Sequence, residues 1–243
     1  MAAAGTLGAL YAAQPARAAD EVFTPAQKEA MGAFISEYLV SHPEAVVNAL
    51  EAYQANRAAI EQKQFTKSFE QHKETLAEGN APSAGNPKGD VTVVEFFDYN
   101  CGYCKKAVED VVKLLESDKN LKVIFKEMPI LSPASQDAAR WALAAHKQGK
   151  YYEYHVALMK DPNQKNAAEF ESLAKKLGLD VDKMRKDADS KEVRETIEKN
   201  LNMARDLGIR GTPGFIIGDT LAPGYMGYDA MKAAIAQVRA AKK

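Results

Sequence analysis

Cys101-Gly102-Tyr103-Cys104 holds both cysteines of the 243-residue chain. Two thiols at that spacing can staple a loop, hold a soft metal ion, or exchange disulfides with another molecule. A disulfide between them closes a very small ring. Because the chain-entropy gain of a disulfide grows only with loop length, a staple explains little. A structural zinc site wants four ligands, with its histidines close together in sequence. His42, His72, His146 and His155 lack that spacing, although the fold could bring one of them to the pair. Two thiolates alone suffice for copper(I), so Cys101 and Cys104 stay open as a copper(I) site. Reversible exchange is what the spacing favours, with one thiol attacking and the other resolving the mixed disulfide.

The neighbouring elements sharpen that choice. Val91–Phe96 reads as a buried strand, 102–117 as a helix and Leu121–Lys126 as a second strand, a βαβ unit with parallel strands. The pair then sits on a strand-to-helix turn. Cys101 falls at the helix N-terminus, where the dipole and free N–H groups stabilise a thiolate, and is the expected nucleophile. Cys104, one turn inside, is more buried and is the expected resolving thiol. Helices follow at 134–148, 151–160, 167–177 and as a pair across 180–208. Strand character returns at Gly214–Ile217 and near Leu221, and a closing helix runs from Tyr228 to Ala241. The plan is a small α/β sheet with a helical block inserted at about 134–208. Trp141 reads as helix core, Tyr151, Tyr152 and Tyr154 as helix packing with a peptide groove as the alternative, and Phe96 and Phe97 as sheet core or active-site surround. Pro213, just before the late strand, is on its own an ordinary edge proline.

Residues 19–79 read as a helical extension. Thr24-Pro25 opens a helix as cap and first-turn proline, and Met31, Phe34, Ile35, Tyr38 and Leu39 share one face. Ser41, Pro43 and Glu44 mark a second start, with Ser41 as cap. The second helix carries Val46, Leu50, Tyr53, Ile60, Phe65, Phe69 and Leu76, a thin stripe broken by Arg57 and Gln64. Such a helix forms no core of its own and must lean on something else. Residues 80–89, with two prolines and two glycines, read as a linker before a compact domain at 90–243. Residues 1–18 read as a secretory signal ending in Ala16-Arg17-Ala18. No Lys or Arg precedes their apolar run, which points to a longer leader; an N-terminal helix is the alternative. No other stretch is apolar for long enough to span a bilayer. A net charge of −1 recruits neither nucleic acid nor an anionic membrane.

Four segments together resemble the DsbA-like branch of the thioredoxin superfamily: 94–104 around the cysteines, 125–131, 149–155, and Gly211–Gly218 around Thr212-Pro213. The helical extension resembles that of the ScsC, or suppressor-of-copper-sensitivity, subgroup. The resemblance implies a thioredoxin-like fold with a helical insertion. It implies a cis Pro213 facing Cys101 and Cys104, with Thr212 pairing to an extended substrate peptide. Glu95, six residues before Cys101, matches a buried acid that moves protons beneath the disulfide; alternation leaves its facing open, and Lys126 can accompany it. DsbA carries Pro-His between its cysteines, whereas this chain has Gly102-Tyr103. The Cys101 thiolate should therefore be less stabilised and the disulfide less oxidising, with Lys105 and Lys106 offsetting part of that. The expectation is a periplasmic protein disulfide isomerase or reductase that needs no cofactor beyond its own disulfide. Its partners would be misfolded exported proteins and a membrane electron donor of the DsbD or ScsB type. It would form a homo-oligomer, a trimer being one arrangement, through the extension; the alternative is that these helices fold back onto the chain's own domain. The alternatives are a disulfide oxidase reoxidised by a quinone-linked partner and a copper(I)-binding tolerance protein.

Overall fold

The computed structural model describes residues 23–78, 80–162 and 166–241, so the leader read at 1–18 lies outside the described residues. The chain divides into two compact units, one reaching Ala58 and one running from Ala59 to Lys243. In the first, α1 (Pro25–Ser41) starts on a capping box. Thr24 Oγ1 accepts from the Gln27 amide, and the Gln27 side chain accepts from the Thr24 amide. No residue of α1 is buried. The next helix, α2 (Pro43–Leu76), begins at Pro43 with Glu44 in its first turn. Ser41, expected as its cap, is instead the last residue of α1, because the chain stays helical until the His42 amide closes on Tyr38 O.

The second unit is built on a five-stranded sheet in the order β1-β3-β2-β4-β5. Strands β2 (Val91–Phe97) and β3 (Leu121–Glu127) are parallel and joined by α3 (Gly102–Ser117), as the βαβ pattern requires. Strand β4 (Gly214–Ile217) runs antiparallel to β2, and β5 (Thr220–Pro223) antiparallel to β4. Between β3 and β4 the described residues make five helices, α4 (Pro133–His146), α5 (Tyr151–Lys160), α6 (Ala167–Lys176), α7 (Val181–Ala188) and α8 (Lys191–Asp206). Helix α9 (Tyr228–Ala241) closes the fold.

Residues 80–89 are not a plain linker. Ser83–Gly85 form β1, antiparallel to β3, with Ala84 opposite Val123. Gly85 has φ of +84°, and a Cβ there would lie 2.4 Å from Leu121 O, so only glycine fits this close approach. The unit also starts well before residue 90, since the end of α2 belongs to it.

Both faces of the sheet are covered. One face carries Val91, Val93, Phe97, Val123, Phe125, Phe215 and Ile217 and packs on α3, the inserted helices and α9. The other carries Val94, Phe96, Ile124 and Ile216 and packs on Phe65, Phe69 and Leu76 of α2 with Met203, Ala204 and Leu207. This second core is what the α2 stripe leans on. A hydrogen bond between His72 and Asp206 at 2.9 Å and an ion pair from Lys199 to Glu78 at 2.7 Å link the end of α2 to α8. Trp141, Tyr151 and Tyr154 are buried among the inserted helices.

Candidate active site

The turn from β2 into α3 places the two cysteines differently. Cys101 is the N-cap of α3, with extended backbone (φ −79°, ψ 120°), so its Sγ sits where a capping oxygen would and accepts from the Cys104 amide at 3.4 Å. Its thiol donates to Thr212 O at 3.2 Å. Cys104 faces inward from the first turn and is fully buried. Both are free thiols in this structure. The Thr212–Pro213 peptide is cis, and the Thr212 carbonyl lies against the Cys101 thiol. Gly102 and Tyr103 begin α3; Tyr103 is 59% exposed, with Lys106 Nζ 5.4 Å from its ring centroid.

Glu95 faces inward. It is 1% exposed, on the same sheet face as Phe97 and Phe125, and one carboxylate oxygen has no hydrogen-bond partner. Burial raises its carboxyl from 4.5 to about 8. Burial likewise pushes the Cys104 thiol far above its ordinary value; the Asp98 backbone opposes this, and the charges of Glu95 and Cys101 add to it. Lys126 does not accompany Glu95. Its position on β3 alternates with Phe125, so it points to the opposite sheet face and donates to Thr75 O at 3.2 Å. Burial lowers its ammonium to about 8.

Five further residues surround the site, Asp98 and a cluster of Glu127, Tyr151, Tyr99 and His155. The buried Asp98 carboxylate accepts from the Asn100 amide at 2.8 Å and from the Ile130 and Leu131 amides at 2.9 and 3.0 Å. It thereby ties the cysteine loop to the loop after β3. Glu127, also buried, accepts from Tyr151 Oη at 2.7 Å and Tyr99 Oη at 3.2 Å, and Tyr99 Oη meets His155 Nδ1 at 3.0 Å. Burial holds the Glu127 carboxyl well above its usual range and lowers the His155 imidazole to about 3. Burial thus disfavours the charged form of both groups. The readable signal for Asp98 and Glu127 was an acidic residue at the C-terminal end of each parallel strand; nothing local marked Tyr99 and His155, 56 residues apart. Among the described residues no group of three or more His, Cys, Asp and Glu side chains could hold a metal ion. Copper at this site would rest on the two thiolates.

A family model for the DSBA-like thioredoxin domain matches residues 92–236. The chain belongs to the DsbA-like thioredoxin family. Its members are thiol–disulfide oxidoreductases, and the buried dithiol facing a cis-proline turn is the part of this DsbA-like chain that such chemistry requires. A second model, the N-terminal domain of the copper resistance protein ScsC, matches residues 27–59. Among solved structures, a thioredoxin-like oxidoreductase from Silicibacter pomeroyi DSS-3 is 41% identical, with a TM-score of 0.67, covering 69% of this chain and 98% of that one. A linker-deleted mutant of Proteus mirabilis ScsC is 25% identical with a TM-score of 0.68, and covers 92% of this chain and all of that one. Among curated relatives, the Na(+)/H(+) antiporter NhaA 1 of Salinispora arenicola is 29% identical over 153 residues, 62% of this chain. The match spans about a quarter (24%) of that antiporter's length.

Proposed function

We propose that this DsbA-like chain is an exported, periplasmic protein disulfide isomerase or reductase that self-associates through its N-terminal helices. The observation that carries the reading is a coincidence of two features. The segment matching the ScsC N-terminal domain, 27–59, is also where Phe34, Ile35, Tyr38, Leu39 and Val40 stand exposed. Exposed apolar residues on one short stretch mark an association surface. Several Cys101 sites in one assembly can work on a substrate that holds more than one wrong disulfide. Its substrates would be misfolded exported proteins, its reductant a membrane electron donor.

In the exchange, the Cys101 thiolate attacks one sulfur of a substrate disulfide and expels the other as a thiolate, which takes a proton from solvent. The mixed disulfide then has two exits. A substrate thiolate can attack the substrate sulfur, regenerating Cys101 with no net redox change, which is isomerisation. Otherwise the Cys104 thiolate attacks Cys101 Sγ and releases reduced substrate, leaving the protein's own disulfide. The second exit needs a base for the buried Cys104 proton, and Glu95 fills that role. Tyr103 supplies no positive charge beside Cys101, which favours exchange over one-way oxidation. A contribution to copper tolerance follows where the wrong disulfides are copper-generated.

The test is recovery of activity from scrambled ribonuclease by the full chain in a glutathione buffer, run beside oxidation of reduced ribonuclease. The isomerase reading expects recovery from the scrambled form. Rapid oxidation of the reduced form without recovery of the scrambled form would instead identify an oxidase.

A further inference from the structure

Four loops meet along one edge of the sheet. Strands β2 and β3 end there, β4 begins there, and β5, antiparallel to β4, ends there. The sheet order sets these loops side by side: 128–132, then 98–101 with the nucleophile, then 211–213, then 224–227. The Cys101–Thr212 contact lies at the centre, and the outer loops form its two rims. One rim presents the exposed aliphatic side chains of Ile130 and Leu131. The other presents Tyr225.

Tyr225 is 39% exposed and stacks on Tyr103, with ring centroids 6.1 Å apart and planes 28° from parallel. Its phenol donates to Asp110 Oδ2 on α3 at 2.7 Å, and that hydrogen bond raises the phenol above its ordinary value, so it stays a donor. Scattered exposed aromatics are ordinary on a protein surface. Two that are stacked on each other, pinned by a hydrogen bond and set beside a nucleophile are already ordered, so little rotamer freedom remains to be lost when a ligand lands on them. Lys106 Nζ already lies near the Tyr103 ring, so an incoming Lys or Arg would meet like charge there.

We propose that Tyr225 is a specificity-determining residue, which together with Tyr103 takes an uncharged aromatic side chain next to the reacting cysteine of the substrate peptide. This rests on the thiol–disulfide exchange reading above. A ring stacked on the pair gains from its own burial and from offset or edge-to-face packing, whereas a lysine at the same position is repelled by Lys106.

The experiment uses the full chain, reduced, with two short peptides as glutathione mixed disulfides, one with Phe and one with Lys beside the cysteine, and with oxidised glutathione as a third probe. The wild-type protein should react about tenfold faster with the Phe peptide than with the Lys peptide. Tyr225→Ala should bring that ratio close to one, while Tyr225→Phe, which keeps the ring, should preserve most of it. A wild-type ratio near one, or a Tyr225→Ala protein that slows on both peptides with the ratio intact, would overturn the assignment. A wild-type protein that exchanges with none of the three probes would overturn the exchange reading itself.

Discussion

The first turns of α2 and its last turns carry similar side chains and end differently. Val46, Val47, Leu50 and Tyr53 are exposed, whereas Phe65, Phe69 and Leu76 are buried against Val94, Phe96 and Ile124 of the sheet. The spacing of apolar residues along a helix says that a face wants covering and is silent on what covers it. In residues 65–76 the cover is the protein's own sheet, whereas Ile60 is still exposed. Among the described residues 23–57 the large apolar side chains stay on the surface, and there the reading of self-association begins. The last turns of α2 therefore pack onto the unit that carries Cys101, while the earlier turns are where the proposed self-association would act.

The sharpest way to break that comparison is to cut the chain twice. A chain starting at Asn80 loses Phe65, Phe69 and Leu76, each contributing roughly 1.5–3 kcal/mol by burial, so its stability should fall by about 5 kcal/mol or more. That is comparable with the whole stability of many domains. A chain starting at Ala59 keeps both buried cores and should melt close to the full chain. Equal melting temperatures for the two cuts would dissolve the distinction.

A smaller effect sharpens the other side of the sheet, where the buried acid sits. Glu95 ionises near 4.5 when unfolded and near 8 when folded. Between those values the folded state binds the extra proton, so the full stability present below pH 4.5 is progressively lost as pH rises to 8. Glu95→Gln removes that slope. From urea curves, the variant should gain on wild type by on the order of 3 kcal/mol between pH 5 and pH 8. Parallel curves would mean that Glu95 does not titrate in the core.

The smallest effect on stability belongs to the N-terminal helices. Phe34, 68% exposed, can become Asp with a change within about 0.5 kcal/mol. Sedimentation should nevertheless show the assembly falling apart. A wild-type chain that sediments as a monomer would contradict the assembly reading.

Much of the fold was legible because its signals are local. Thr24-Pro25 and Gln27 make a capping box within four residues, and the cysteine pair announces its strand-to-helix turn. Strand β1 was hidden because Ser83-Ala84-Gly85 has no β-branched or aromatic residue; it exists only because β3 offers an unpaired edge. The facing of Glu95 was undecidable for a different reason. Val93, Val94, Phe96 and Phe97 are all buried, so the strand has no polar face to set the alternation. Glu127, Tyr99, Tyr151 and His155 come together from three elements, and only the packing of α5 against the sheet edge reveals them as one cluster.

The most direct test of the central claim, attack by Cys101 and resolution by Cys104, is to offer scrambled ribonuclease to a Cys104→Ser chain and separate the products without reductant. A covalent one-to-one adduct should accumulate, joined through Cys101 and released by dithiothreitol, and Cys101→Ser should form none. An adduct that forms equally well in Cys101→Ser, or in neither variant, would contradict the account.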